Sequence, residues 1–154
     1  MLTLPVKKKW FDMMLSRIKT EEYREIKPYY TTRFDNEIHC NGLFTGSCFH
    51  GEAFIECYRT GVSAPFIVKF VNGYGNDKPY FIAEVTLTVD TGYEDWGAEP
   101  NKEYYVLFIN KIIDARVPLN AATPYSELAT RNGIKVQGNR TLINKKGDKT
   151  NENT

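Results

Sequence analysis

The sequence predicts an α+β fold, a small, mostly antiparallel β-barrel with an N-terminal helix packed on it. Two-residue periodicity recurs along the chain, most cleanly where Phe81, Ala83, Val85, Leu87 and Val89 alternate with Glu84, Thr86, Thr88 and Asp90. Helical spacing is confined to one early segment. Aromatic residues make up 14% of the 154 residues, ten of them tyrosines, a composition that suits strands. Five or six short strands and one helix bury a core most simply as a barrel under that helix.

Met1 to Leu4 alternates and reads as a strand. Pro5 suits a helix start, where its missing N–H would be unpaired anyway. Val6, Trp10 and Met14, with Met13 beside them, mark an amphipathic helix near residues 6 to 16, with Lys7, Lys8, Lys9 and Asp12 on its wet face. From Ile18 to Ile26 the period falls to two, which places Ile18, Thr20, Glu22, Arg24 and Ile26 on one face of a strand. Lys19 has the opposite parity. It joins Glu22 and Arg24 only from the helix-to-strand turn or from a bulge.

Pro28 to Phe34 reads as a helical turn or loop, and Ala53 to Tyr58 as a strand within a glycine-punctuated stretch from 35 to 64. Phe66 to Val71 is a strand, Asn72 to Asp77 a dense turn, and Pro79 opens the next strand. Thr91 to Lys102 is a polar loop. Tyr104 to Ile113, almost continuously apolar, is expected to be a central strand buried on both sides. Pro124 to Thr130 has the makings of one helical turn. From Arg131 the chain carries four large aliphatics, with six basic against two acidic side chains, and is expected to be a mobile tail.

The length suits one core, and a net charge of +1 gives no global signature for nucleic acid. Such a partner would need a local basic patch. The N-terminal apolar stretch is too short and too interrupted for a signal peptide or a membrane span, so a cytoplasmic protein without a membrane partner is expected. Three cysteines, Cys40, Cys48 and Cys57, fit reduced thiols. With His39 and His50 they form no paired zinc spacing, so neither metal nor cofactor is expected.

The densest charge cluster is Arg17-Ile18-Lys19-Thr20-Glu21-Glu22-Tyr23-Arg24. On a strand, Glu22 and Arg24 are neighbours on one face and can pair, the arginine holding the carboxylate ionised. A desolvated lysine beside them would be a nucleophile or base; without a substrate, the same set is an ion-pair network pinning helix to strand. Glu94-Asp95-Trp96-Gly97 offers a carboxyl against an indole wall, a candidate general acid, or else a plug whose acids face water. Tyr74, between two glycines, offers a stacking face or simply completes a hairpin turn.

These landmarks, in order, resemble the ASCH domain, whose signature is G-x-K-x-x-E-x-R after the first helix. The likeness runs from Val6-Lys7-Lys8-Lys9-Trp10-Phe11 through Lys19 to Arg24, Asn72 to Gly75, Glu94 to Gly97 and Tyr104 to Ile113. It covers residues 1 to 114 with an insertion at about 36 to 64, leaves 115 to 154 as an extension, and is closest to bacterial and phage members. The resemblance implies a PUA-like barrel with the charged motif lining a cleft, and RNA, a nucleotide or a modified nucleoside as partner. Some small members resemble amidohydrolases acting on acetylated cytidine, and ribonuclease activity is also attributed to the family. Carried over by position, Lys19 is the activated lysine, with Glu22 and Arg24 as its partners. Glu94, then Asp95, is the counterpart of the acid supplied later in the chain. Arg17 stands where the signature has glycine, and either takes ordinary dihedrals or sets a new cation at the cleft mouth. As a binding module the protein would use Arg17, Lys19 and Arg24 on phosphate or base edges, with Tyr74 or Trp96 stacking. A different reading is an interaction protein whose 36 to 64 insert meets a partner.

Overall fold

The computed structural model describes residues 1–39, 51–75 and 77–117, and the backbone of three later strands. In chain order the elements are β1 (Leu2–Val6), α1 (Lys8–Leu15), β2 (Glu21–Glu25), α2 (Pro28–His39), α3 (Glu52–Thr60), β3 (Phe66–Asn72), β4 (Tyr80–Thr91), a 3-10 turn (Glu94–Trp96), β5 (Glu103–Arg116), β6 (Val136–Gln137), β7 (Thr141–Ile143) and β8 (Lys149–Asn151). The fold is α+β with a mostly antiparallel sheet. Strands follow the order β1-β3-β4-β5-β6-β7-β8, and β2 also pairs with β5. β2 runs antiparallel to β5, with Glu22 opposite Leu107 and Arg24 opposite Tyr105, whereas β5 and β6 are parallel. Among the described residues these pairings leave the sheet unclosed.

The chain divides into two compact units: Met1–Leu2, Thr20–Ile67 and Glu84–Asn110 form one, and Thr3–Lys19, Val68–Ala83 and Lys111–Thr154 the other. The core of the first is aromatic. Phe34 and Phe54 approach the buried Tyr105 edge-on, with centroids at 5.2 and 6.1 Å, and Phe54 meets Tyr58 at 4.9 Å. In the second unit Phe81 lies between Phe11 and Phe70, at 5.2 and 5.0 Å.

β4 follows the alternation read from its sequence, with Phe81, Ala83, Val85, Leu87 and Val89 all buried. β5 is buried continuously only from Tyr104 to Leu107; beyond that Phe108 and Ile113 are exposed, so its far half is not buried on both sides. Pro5 lies inside β1 rather than at a helix start. β1 ends the strand order, and a proline is tolerated on an edge strand. The helix begins later, and its buried stripe is Phe11, Met14 and Leu15, while Trp10 and Met13 are half-buried.

Two larger corrections fall in the stretch from 28 to 60. Pro28 to Phe34 is not a loop but the start of the twelve-residue α2, with Pro28 at the first helical position, where its ring costs no hydrogen bond. Ala53 to Tyr58 is not a strand but part of α3, whose Phe54, Ile55 and Tyr58 are buried at helical spacing. The chain thus has three helices among its described residues, not one. Cys40, Cys48, His50 and the turn read at Pro124 to Thr130 lie outside those residues. Most of the tail from 131 does too, apart from strands β6 to β8.

Candidate functional site

Helix α1 ends in a Schellman arrangement. The Arg17 N–H donates to the Met14 carbonyl and the Ile18 N–H to the Met13 carbonyl, both at 3.0 Å. That motif needs a left-handed residue just past the cap, and Arg17 supplies it with φ of 64°. Of the two options for Arg17, ordinary dihedrals are therefore excluded. The arginine takes the conformation that glycine would adopt without steric cost. Its guanidinium is partly buried, which lowers its pKa from the ordinary value.

The same cap keeps Ile18 off the strand. Ile18 is exposed, and regular pairing starts only at Glu21. Lys19 sits in the turn, as its parity requires, with its N–H donating to the Met13 carbonyl at 3.0 Å. Its side chain is only 1% exposed, and its Nζ lies 4.8 Å from the centre of the Trp10 ring. A buried ammonium over an indole face gains a cation–π attraction that partly replaces lost hydration.

In the other unit, β2 presents Glu22 and Arg24 on one face. Glu22 is 4% exposed, and its Oε1 lies 3.2 Å from Nη2 of Arg24. The Arg24 guanidinium also lies 5.8 Å from the centre of Tyr30, on α2. One residue away, the exposed Tyr29 meets Tyr30 edge-on at 5.0 Å. Tyr29 in turn accepts a hydrogen bond from Arg33, whose guanidinium lies 5.2 Å from its ring centre. Two rings and two guanidinium groups thus follow one another around the start of α2. The sequence signal for this was Tyr29 and Arg33 at i, i+4, visible only once the segment is recognised as a helix.

Tyr23 points to the opposite face of β2, where it packs on Tyr104, Val106 and Ala98. Its hydroxyl donates to Glu21 at 2.7 Å and accepts the Tyr93 N–H at 3.0 Å. Burial first, then the Glu21 carboxylate, raise the phenol's pKa above its ordinary value. This anchors the turn bearing Glu94, Asp95 and Trp96 on the Tyr23 face, not on the face of Glu22 and Arg24. Glu94 and Asp95 are exposed, and the half-buried Trp96 has Tyr93 edge-on at 4.9 Å. Facing water, neither carboxyl is set against the indole wall that the sequence reading asked of a general acid.

Tyr74 belongs to the Thr3–Lys19 unit and is 84% exposed. Gly73 and Gly75 flank it at φ of 90° and 115°, left-handed values that account for both glycines. Cys57 carries a free, half-buried thiol, and His39 is committed through Nδ1 to the Asp35 carboxylate.

No family model, curated protein or solved structure matches this chain.

Proposed function

We propose that the chain is an ASCH-like, PUA-type barrel domain that binds RNA or a nucleotide in the cytoplasm, with binding ahead of catalysis. The observation that carries this reading is the Arg24 side chain, oriented by buried Glu22 at 3.2 Å and stacked toward Tyr30 at 5.8 Å. A guanidinium fixed by a carboxylate and an aromatic ring is preorganised for a phosphate or a base edge, at less entropic cost than a free arginine. The adjoining Tyr29 and Arg33 extend the same chemistry. Adjoining rings and cations are what single-stranded nucleic acid engages through stacking and charge. Lys19, in the other unit, is proposed as a functional residue in its own right. Burying that ammonium is costly, and function rather than stability is the better account of a lysine kept there.

The test is fluorescence anisotropy with a labelled single-stranded RNA. Kd should rise steeply with added salt, since phosphate binding releases counterions. Tyr29→Ala and Arg33→Ala, near the surface, should each weaken binding by about 1 kcal/mol or more. Arg24→Ala should weaken it further, with circular dichroism confirming that the fold persists. Equal affinity across the three variants, or affinity indifferent to salt, would reject the interface. Incubation with acetylated cytidine separates binding from hydrolysis. Turnover that vanishes in Lys19→Ala would assign the lysine to catalysis and make the protein an amidohydrolase.

A further inference from the structure

A cavity of about 530 Å³ opens beside α2 and α3, within the Thr20–Ile67 part of its unit. That is within the range of small-molecule sites. Ile26 and Ile55 supply apolar wall, while Thr31, Asp35, Asn36 and Glu52 bring polar groups to it. These polar groups are biased toward accepting hydrogen bonds. Thr31 gives its hydroxyl proton to the Lys27 carbonyl at 3.1 Å, so in its 2.5 Å contact with Tyr105 it is the tyrosine that donates. Thr31 therefore has no hydroxyl proton left to offer a ligand. Asp35 is a buried carboxylate held in place by Nδ1 of His39, one turn further along α2. Glu52, at the exposed start of α3, adds a second carboxylate. Lys27 is the one cation among the described lining residues, and its ammonium is engaged by Glu25.

The field in this region is negative in consequence. Burial is the first cause of the raised pKa of the Tyr105 phenol, and the charges of Glu52 and Asp35 add to it.

We propose that this cavity is a binding site for a small organic cation, an amine or amidinium carried on a compact apolar frame. The apolar walls take the frame, and Asp35, with Glu52 at the rim, takes the charge. A charge-assisted hydrogen bond to a carboxylate already oriented and largely dry is about twice as strong as a neutral one. A carboxylate-bearing ligand of the same shape would meet two like charges. This site is independent of the Arg24 and Tyr30 interface and would stand if that interface failed.

Benzamidine, benzamide and benzoate share a ring and differ in charge, which makes them suitable probes for the full-length protein. In amide-proton NMR titrations, benzamidine should shift resonances of residues 26–36 and 51–55 saturably. Benzamide should bind about tenfold more weakly and benzoate not measurably. Glu52→Gln, at an exposed position that leaves the core intact, should weaken benzamidine about three-fold, and Asp35→Asn about tenfold or more. If Asp35→Asn fails to fold, the three-ligand comparison and Glu52→Gln still decide the matter. The site is overturned if benzoate or benzamide matches benzamidine. It is equally overturned if benzamidine leaves those resonances unshifted at about 10 mM, beyond the range of a weak specific site.

Discussion

Arg17 carries two opposed effects at a single residue. A left-handed conformation costs an L-residue with a Cβ roughly 1–2 kcal/mol. Against this stand the two hydrogen bonds that close the end of α1 at 3.0 Å. Glycine would keep both bonds without the steric term, and would remove the cost of holding a guanidinium partly out of water. Arg17→Gly is therefore expected to stabilise the protein by about 1 kcal/mol, seen as a higher urea midpoint with an unchanged m-value. A lower midpoint would mean that contacts of the arginine outweigh its strain. The same substitution should lower RNA affinity if Arg17 itself contacts a phosphate. Stability and binding would then move in opposite directions, which suits a position where a conformational rule is broken for function.

At the scale of elements, the loop after β4 depends on one position without a side chain. A Cβ on Gly92 would stand 2.7 Å from both the Ala98 Cβ and the Tyr23 ring. Tyr23 cannot easily swing aside, because its hydroxyl is tied to Glu21 and to the Tyr93 N–H. Gly92→Ala should thus cost about 1–3 kcal/mol by overpacking, measured as a drop in thermal midpoint, with freer amide exchange around Tyr93. An unchanged midpoint would mean that the loop is not held against β2. This close approach was not read from the sequence, where Gly92 is one small residue in a polar loop. β4 was legible because each buried residue alternates with a polar one, so period alone assigns it. α2 and α3 were not. Proline and paired tyrosines at the start of α2 resemble a turn, and the apolar run of α3 is too short for its period to separate helix from strand. Within the candidate site, the pairing of Glu22 with Arg24 was legible from strand parity. The Tyr29 and Arg33 platform depended on the helix that was missed. So did the cavity, which needs both helices.

For the molecule as a whole, three tyrosines packed against other residues, two buried and Tyr23 half-buried, determine how it responds to alkali. Tyr23, Tyr58 and Tyr105 all have phenols raised above their ordinary value, first by burial, and Tyr58 is pushed up to about 12. A group whose pKa is higher in the folded state binds its proton more tightly there than in the unfolded chain. Stability from these three is fully present below the unfolded tyrosine value of about 10 and is lost as pH rises through the folded values. Three such groups drawing on one equilibrium make the loss steep. Between roughly pH 10 and 12 the thermal midpoint should fall progressively. Part of the tyrosinate absorbance at 295 nm should then appear only together with loss of the far-ultraviolet dichroism. Tyr58→Phe removes one titrating group while keeping the ring that packs on Phe54 at 4.9 Å, so it should make the alkaline decline shallower. If all ten tyrosines ionised in one smooth step while the fold stayed intact, these three phenols would have to reach solvent without unfolding. The aromatic core around Tyr105 would then be far looser than its edge-on contacts with Phe34 and Phe54 imply.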